Sequence, residues 1–454
     1  MSEENHTFYG REPHQTDGQT FIDDIARFSH QSAAGGILLI IGAIAALVWS
    51  NCWHHNYQHF WHTEIGLHFG HGELTKSLQH WINDALMVIF FFVVGLEIKR
   101  EVIAGELATM RKAALPIAAA IGGMVVPAGF YALVNLGGDG MRGWAIPMAT
   151  DIAFSLGILS LFGRRVPLAL KVFLAALAIV DDIGGILVIA FAYTGDVNWT
   201  YLAVAMGCFA IMIVMNLRGV WSTIPYLIVG IGGVWFCFLQ SGIHATLAGI
   251  LAAMTIPAKG NIERAHFIER SKELLEQFGS GDSELSLLED ERSRALATKL
   301  EKYSRRINPP VTRLEAAMAG WVNCAILPIF ALANCGVALT GDSAGGIMSP
   351  VSMGIILGLV LGKPVGILLA TYLAIKTGIA DKPAGVSWQQ LAAVSCLAGI
   401  GFTMALFLTA LAFEEGTFSE QGKVAILIGS AVAGIIGCLL LRPTLPAKVR
   451  EPQG

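Results

Sequence analysis

Charge is what this 454-residue chain has least of. Only 14% of its residues are Asp, Glu, Lys or Arg, against roughly 25% in an ordinary soluble domain. A chain so depleted, and 54% hydrophobic, belongs in a lipid bilayer rather than in water. The small net charge of −4 excludes the basic face that a nucleic acid partner demands, so no nucleic acid is expected. No Gly-x-x-x-x-Gly-Lys-Ser/Thr run occurs, so energy for any transport has to come from an ion gradient rather than a nucleotide. Cysteine is sparse as well. The seven, at 52, 208, 237, 324, 335, 396 and 438, show no metal-ligand spacing and imply no disulfide framework; they read as small buried residues. A cleavable signal peptide is not expected, because residues 1–32 are polar and the first apolar run begins only near Ser32.

What is abundant is glycine, with 51 residues, as helices packed closely in lipid require. Windows long enough to cross a hydrocarbon core of ~30 Å recur at 33–51, 79–98, 113–136, 144–163, 167–193, 199–217, 222–240, 242–257, 314–339, 351–375, 388–413 and 422–442. The fold class expected is therefore an all-α membrane protein of twelve transmembrane helices. Loop charge supports that count, since cytoplasmic loops hold the excess of Lys and Arg. Lys99, Arg100, Arg111 and Lys112 follow span 2, Arg164 and Arg165 follow span 4, and Arg218 follows span 6. Eleven basic residues from Lys259 to Arg313 follow span 8; Lys376 and Lys382 follow span 10, and Arg442, Lys448 and Arg450 close the chain. The intervening loops carry at most one such charge each, which places both termini in the cytoplasm.

The expected organisation is a cytoplasmic N-terminal segment (1–32), spans 1–8 (33–257), a charged cytoplasmic insertion (258–313), spans 9–12 (314–442) and a cytoplasmic tail (443–454). In the insertion, Phe267, Leu274, Leu275 and Phe278 recur at helical spacing, as do Leu285, Leu288, Leu296, Leu300 and Tyr303. Gly279-Ser280-Gly281-Asp282 separates the two sets, so an αα-hairpin is expected. The outer segment 52–78 holds His54, His55, His59, His62, His68 and His71, read as a solvated loop.

A charged side chain at the centre of a membrane helix costs about 2.5–3.5 kcal/mol on insertion scales and is a functional candidate by default. Asp151, Asp181, Asp182 and Lys363 fall near mid-span; His244 lies just inside span 8, and Asp84 and Glu97 sit toward opposite ends of span 2. Neighbours on a helix point about 100° apart, so Asp181 and Asp182 can face different surroundings. Carboxylates this close compete for charge and favour proton uptake by one of them. A small hard cation such as Na+ also takes oxygen ligands. The same groups can thus hold either protons or the cation, and that competition is the physical basis of antiport. Asp151 lies in Pro147-Met148-Ala149-Thr150-Asp151, a run suited to an unwound segment. Span 11 carries a matching interruption at Gly399-Ile400-Gly401-Phe402-Thr403. Paired interruptions in two halves of a chain point to a transporter's binding site. Asp151 can neutralise the positive N-terminal ends of such broken helices, and Lys363 the negative C-terminal ends. Lys363 can equally pair with an aspartate of span 5.

These residues resemble the NhaA-type sodium/proton antiporters. The matching stretches are Trp81-Ile82-Asn83-Asp84-Ala85-Leu86-Met87, Val94-Gly95-Leu96-Glu97-Ile98-Lys99-Arg100-Glu101, Ala149-Thr150-Asp151-Ile152-Ala153-Phe154 and Ala178-Ile179-Val180-Asp181-Asp182. Ser241-Gly242-Ile243-His244-Ala245-Thr246-Leu247-Ala248-Gly249, Leu327-Pro328-Ile329-Phe330-Ala331-Leu332-Ala333-Asn334, Gly362-Lys363-Pro364 and Gly399-Ile400-Gly401-Phe402-Thr403-Met404 complete the set. The resemblance implies an inverted repeat, spans 3–5 against 10–12, with two crossed discontinuous helices. It implies Asp181 and Asp182 as ligands of the cation and the protons, Thr150 and Asp151 beside them, and Lys363 as the intramembrane charge partner. Glu97, Asp84 and His244 would belong to the ion mouths and the pH response. It further implies a homodimer with a β-hairpin between spans 1 and 2. The expected activity is exchange of Na+, and of Li+, for H+ across a bacterial inner membrane without a cofactor. Two protons per sodium would make it electrogenic and pH-regulated, serving sodium and pH homeostasis. Arg313-Leu314-Glu315 fits the family pattern, but Ala316, Ala319 and Gly320 stand where histidines and a proline are expected.

Two rival readings fit these charges less well. An intramembrane aspartyl protease needs one carboxylate on each of two facing helices, whereas Asp181 and Asp182 are contiguous. A sodium-coupled organic-anion symporter on a related crossed-helix fold would favour Asn, Gln and Ser around space for a large solute.

Overall fold

A computed structural model describes residues 32–69, 72–195, 197–258, 264–279, 291–338, 346–413 and 416–446. Helix α1 (Ser32–Cys52) leads into a short α2 (His54–Trp61) and a hairpin of β1 (Glu64–Phe69) and β2 (Gly72–Ser77). The strands pair antiparallel from Glu64 against Ser77 to Phe69 against Gly72. There follow α3 (Leu78–Ala104) and α4 (Met110–Val134). Two 3₁₀ turns (Asp139–Gly143 and Ile146–Met148) precede α5 (Ile152–Leu161). Next come α6 (Leu168–Ala192), α7 (Trp199–Leu217), α8 (Thr223–Ser241) and α9 (Thr246–Thr255). Two polar helices, α10 (Arg264–Gly279) and α11 (Glu291–Ile307), separate these from α12 (Pro310–Asn334) and α13 (Pro350–Lys376). The chain closes with α14 (Trp388–Ala398), α15 (Phe402–Ala412) and α16 (Thr417–Leu441).

Among the described residues, nine helices are long and apolar enough to cross a membrane. The count becomes eleven when the two bent pairs, Asp139–Met148 with α5 and α14 with α15, are each taken as one span; both bend by 42° at their break. The expected span 242–257 differs from the rest. It is α9, ten residues and about 15 Å long, half the thickness of a hydrocarbon core. Both of its limits have local causes. Gly242 takes a left-handed φ of 81° that ends α8, and Ile256 is held extended ahead of Pro257. The carbonyls left open at the end of α9 are met from other helices: Lys99 donates to Met254 O (2.6 Å) and Ile256 O (2.5 Å), and Asn216 donates to Thr255 O.

Large apolar side chains such as Ile41, Val125, Leu133, Phe191 and Leu217 face outward, as lipid contact requires. The inward packing depends on close backbone approach. On α4 and α13, Gly122 and Gly366 oppose each other so tightly that a Cβ on either would come about 2.2 or 2.1 Å from the other's carbonyl oxygen. This is small-residue packing, the main device by which helices associate in lipid. Proline adds local shape, with Pro116 and Pro127 both inside α4. Single π-turns interrupt α3, α8, α12 and α13.

The expected hairpin between the first two long helices is present. In the polar insertion, α10 and α11 pack on one another with Leu274 and Leu296 buried. Residues 280–282 of the expected interruption, Leu285 and Leu288 lie outside the described residues, as do His71, residues 1–31 of the N-terminal segment and 447–454 of the tail.

Candidate functional site

Two helix breaks meet. Pro147 has no N–H to continue a helix, and Thr150 and Asp151 favour caps over helix interiors, so the chain runs extended from Ala149 to Asp151 before α5 begins. Between α14 and α15 the break falls at Gly399-Ile400-Gly401, and a Cβ on Gly399 would sit 2.4 Å from Leu359 O. Hydrogen bonds join the two breaks directly. Asp151 N donates to Ile400 O (2.7 Å), Thr150 Oγ1 to Ala398 O (2.9 Å) and Ser155 Oγ to Leu397 O (2.9 Å).

The carboxylate of Asp151, 1% exposed, serves both α5 and α15. Its Oδ1 accepts from Phe154 N (2.9 Å) in the first turn of α5. Its Oδ2 accepts from Thr403 N (3.1 Å) and Thr403 Oγ1 (2.5 Å) in the first turn of α15. A negative charge thus lies between two positive helix ends, where unpaired N–H groups and the helix dipole favour an anion. Thr403 is marked in the sequence only as part of the Gly399–Thr403 interruption, and Ser430, whose Oγ accepts from Phe402 N (3.1 Å), carries no sequence signal. The Gly-x-Gly-Phe-Thr run was the available signal, because a polar residue just after a glycine break is a cap candidate.

Lys363 answers the opposite helix end. It follows a π-turn (Gly358–Gly362) in α13, a device common at functional sites, and is completely buried. Its Nζ pairs with Asp181 Oδ2 at 2.6 Å and also donates to Met148 O, the last carbonyl of the 3₁₀ turn before the break. The two roles considered for Lys363 are therefore held together. The other oxygen of Asp181, Oδ1, is buried without a hydrogen-bond partner among the described residues. Thr150 adjoins the Asp181 carboxylate. Asp182, 5% exposed, makes no ion pair or side-chain hydrogen bond among the described residues, yet Asp181, Glu97, Asp151 and Lys363 all lie within electrostatic reach of it. No group of three or more His, Cys, Asp or Glu suited to a resident metal exists among the described residues. The donors here are hard oxygens, which suit a Group 1 cation passing through.

Glu97, Asp84 and His244 do not form one group. Glu97 sits half-buried toward the C-terminal end of α3, beside Arg100, which pairs with Glu101 (2.9 Å) and with Glu315 of α12 (2.8 Å). Asp84 lies about 20 Å away along the same helix, paired with Lys76 of the hairpin at 2.5 Å. His244, at the break between α8 and α9, donates from Nε2 to Tyr193 O at 2.7 Å and is within electrostatic reach of Asp84. Asp84 and His244 therefore share one end of the bundle and Glu97 the other, because α3 is a single long helix.

The model of the family described as Na+/H+ antiporter 1 matches residues 26–441. The chain belongs to that Na+/H+ antiporter family. It is 46% identical to the Na(+)/H(+) antiporter NhaA of Oleidesulfovibrio alaskensis over 454 residues, 99% of each chain. It is 45% identical to that of Koribacter versatilis over 424 residues, 93% of this chain and 92% of the relative. Against that of Wolinella succinogenes it is 46% identical over 416 residues, 91% of each. The family is one of transporters, not enzymes, and the ion is cargo rather than cofactor.

Proposed function

We propose that this chain exchanges Na+, and also Li+, for H+ across a bacterial inner membrane, with two protons moving per cation. Membership of the antiporter family and the relatives' names support Na+/H+ exchange. The observation that carries the site assignment is the state of the aspartate pair. Asp181 is tied to Lys363 through one oxygen while, among the described residues, the other is buried and unpartnered and Asp182 beside it has no ion pair. Asp182 is the main cation ligand, and Asp181 turns its free oxygen toward the same ion. Binding Na+ displaces a proton from Asp182 and weakens the hold of Asp181 on Lys363, which gives up the second. Thr150 flanks the ion. Asp151, whose oxygens are already engaged by Phe154 and Thr403, keeps the crossed half-helices neutral and does not ligate.

In this reading α9 with its neighbouring break completes a twelfth span, spans 3–5 and 10–12 form the inverted repeat, and both termini and the polar insertion are cytoplasmic. Glu97 then stands at the inner mouth and tunes the pH response, Asp84 and His244 stand at the outer one, and the β-hairpin belongs to a homodimer interface. A sodium-coupled organic-anion symporter is set aside. The relatives named above are antiporters, and the polar groups at the meeting breaks are largely spent on each other, leaving no set of amide or hydroxyl donors for a large solute.

Asp182→Asn keeps the shape and removes the charge for which cation and proton compete. Na+-driven pH change in proteoliposomes is expected to vanish while the purified variant keeps the wild-type helical content and thermal midpoint. Near-normal exchange by this variant would overturn the assignment.

A further inference from the structure

Away from the ion site, the basic end of the bundle holds a cavity of about 360 Å³ between the first turns of α4 and α6 and the loop after α13. Its mouth carries Arg111, Lys112 and Lys382, and its depth is apolar, with Leu115, Val172 and Phe173 among the walls. Two carboxylates share the mouth. Asp381 pairs with Arg111 and Glu106 with Lys112, both at 3.5 Å, and the side chains of the first pair are 88% and 85% exposed. Such pairs are weak and exchangeable. Lys382 makes no ion pair among the described residues, so the mouth carries a net positive charge.

The cavity is not a path to the aspartates. Ala169, Val172, Phe173 and Ala176 line it from α6 at positions i, i+3, i+4 and i+7, one face of the helix. Asp181 and Asp182 point about 130° to either side of that face. A mouth rich in Lys and Arg at the end of a membrane helix, opening onto an apolar slot, matches the chemistry of an anionic phospholipid: phosphate outside, acyl chain within.

We propose that this cavity binds an anionic phospholipid, its headgroup phosphate between Arg111, Lys112 and Lys382 and an acyl chain along Leu115, Val172 and Phe173. The phosphate takes the place of Asp381 at Arg111. The lipid ties α4, which packs along the Lys363 helix, to α6, which carries both aspartates, and to the loop leading into α14.

The test uses the full chain in nanodiscs of mixed phosphatidylglycerol and phosphatidylcholine, with retained lipid measured by native mass spectrometry. Phosphatidylglycerol should be enriched on the wild type. The triple variant Arg111→Gln, Lys112→Gln, Lys382→Gln should reduce that enrichment by about tenfold or more, given the attraction each such charge adds near an anionic surface. Ala169→Phe, which fills the slot and keeps every charge, should reduce it too. Enrichment that survives either substitution overturns the proposal. So does displacement of the lipid by inorganic phosphate, which would reveal a site for the anion alone. Na+/H+ exchange by the same variants in proteoliposomes shows that they are folded, and its failure in the wild type would count against the proposed function rather than against the lipid site.

Discussion

Lys363 and Asp181 form a buried ion pair whose partners each have a further obligation, Lys363 to the Met148 carbonyl and Asp181 to a second oxygen that is buried without a hydrogen-bond partner among the described residues. Removing one member of a buried pair leaves the other charged and desolvated, at a cost of about 3–5 kcal/mol. Lys363→Met is therefore expected to lower the denaturation midpoint of the purified protein sharply, and Asp181→Asn to lower it by a comparable amount. The double variant should regain most of the loss, because no uncompensated charge remains. A double variant as unstable as the sum of the singles would show that the pair is not a coupled unit. The charges themselves were legible in the sequence, since an Asp or Lys inside an apolar run has few innocent explanations. The partners were less so. Met148 contributes only a backbone carbonyl, which no sequence pattern marks, and Thr403 is one hydroxyl among many in apolar helices.

At the scale of elements, the long helices were legible because each is one apolar run bounded by polar loops, and both breaks were marked by Pro-x-x-Thr-Asp and Gly-x-Gly. The short α9 was not. Apolar residues continue through Gly242-Ile243-His244, so composition alone lengthens the helix, and only the left-handed glycine and the pre-proline residue shorten it. Lys99 differs from expectation for a related reason. It follows the expected span 79–98 as a loop charge, yet it lies within α3 and its side chain reaches back to the Met254 and Ile256 carbonyls at the end of α9. Hydrogen bonds from a charged donor contribute about 1.5–3 kcal/mol. Lys99→Met should therefore fray that end, seen as faster amide exchange across the last turn of α9 with the aspartate helix α6 unaffected. Unchanged protection in α9 would assign the capping to Asn216 alone. The contact between α4 and α13 is of another kind, backbone against backbone at Gly122 and Gly366. Gly366→Leu should force the Lys363 helix outward and abolish exchange although no charge is touched; wild-type rates would show that the helices can separate without cost to the site.

At the scale of the whole molecule, the charges divide by depth. Glu97, Arg100 and Glu315 gather at one end, the aspartates and Lys363 lie in the middle, and Asp84, Lys76 and His244 gather at the other. The proposed single site, serving both ends, has to exchange its cargo with protons on both sides. In the proposed site sodium and protons seek the same carboxylate oxygens, so apparent Na+ affinity should weaken steadily as pH falls; affinity that is flat from about pH 6 to pH 9, a window above the ordinary carboxylate range, would mean separate sites. In the proposed exchange, two protons against one Na+ leave one net positive charge moving inward in each cycle of sodium extrusion. A charge crossing a potential of 100 mV gains about 2.3 kcal/mol, enough to shift the attainable sodium gradient by roughly 50-fold. An inside-negative potential clamped with potassium and valinomycin should therefore drive sodium out of proteoliposomes in the absence of any pH difference, and reversing the clamp should reverse the flux. A flux indifferent to the clamp would reduce the exchange to one proton per sodium and remove Lys363 from the proton count, leaving Asp182 alone to couple the two ions.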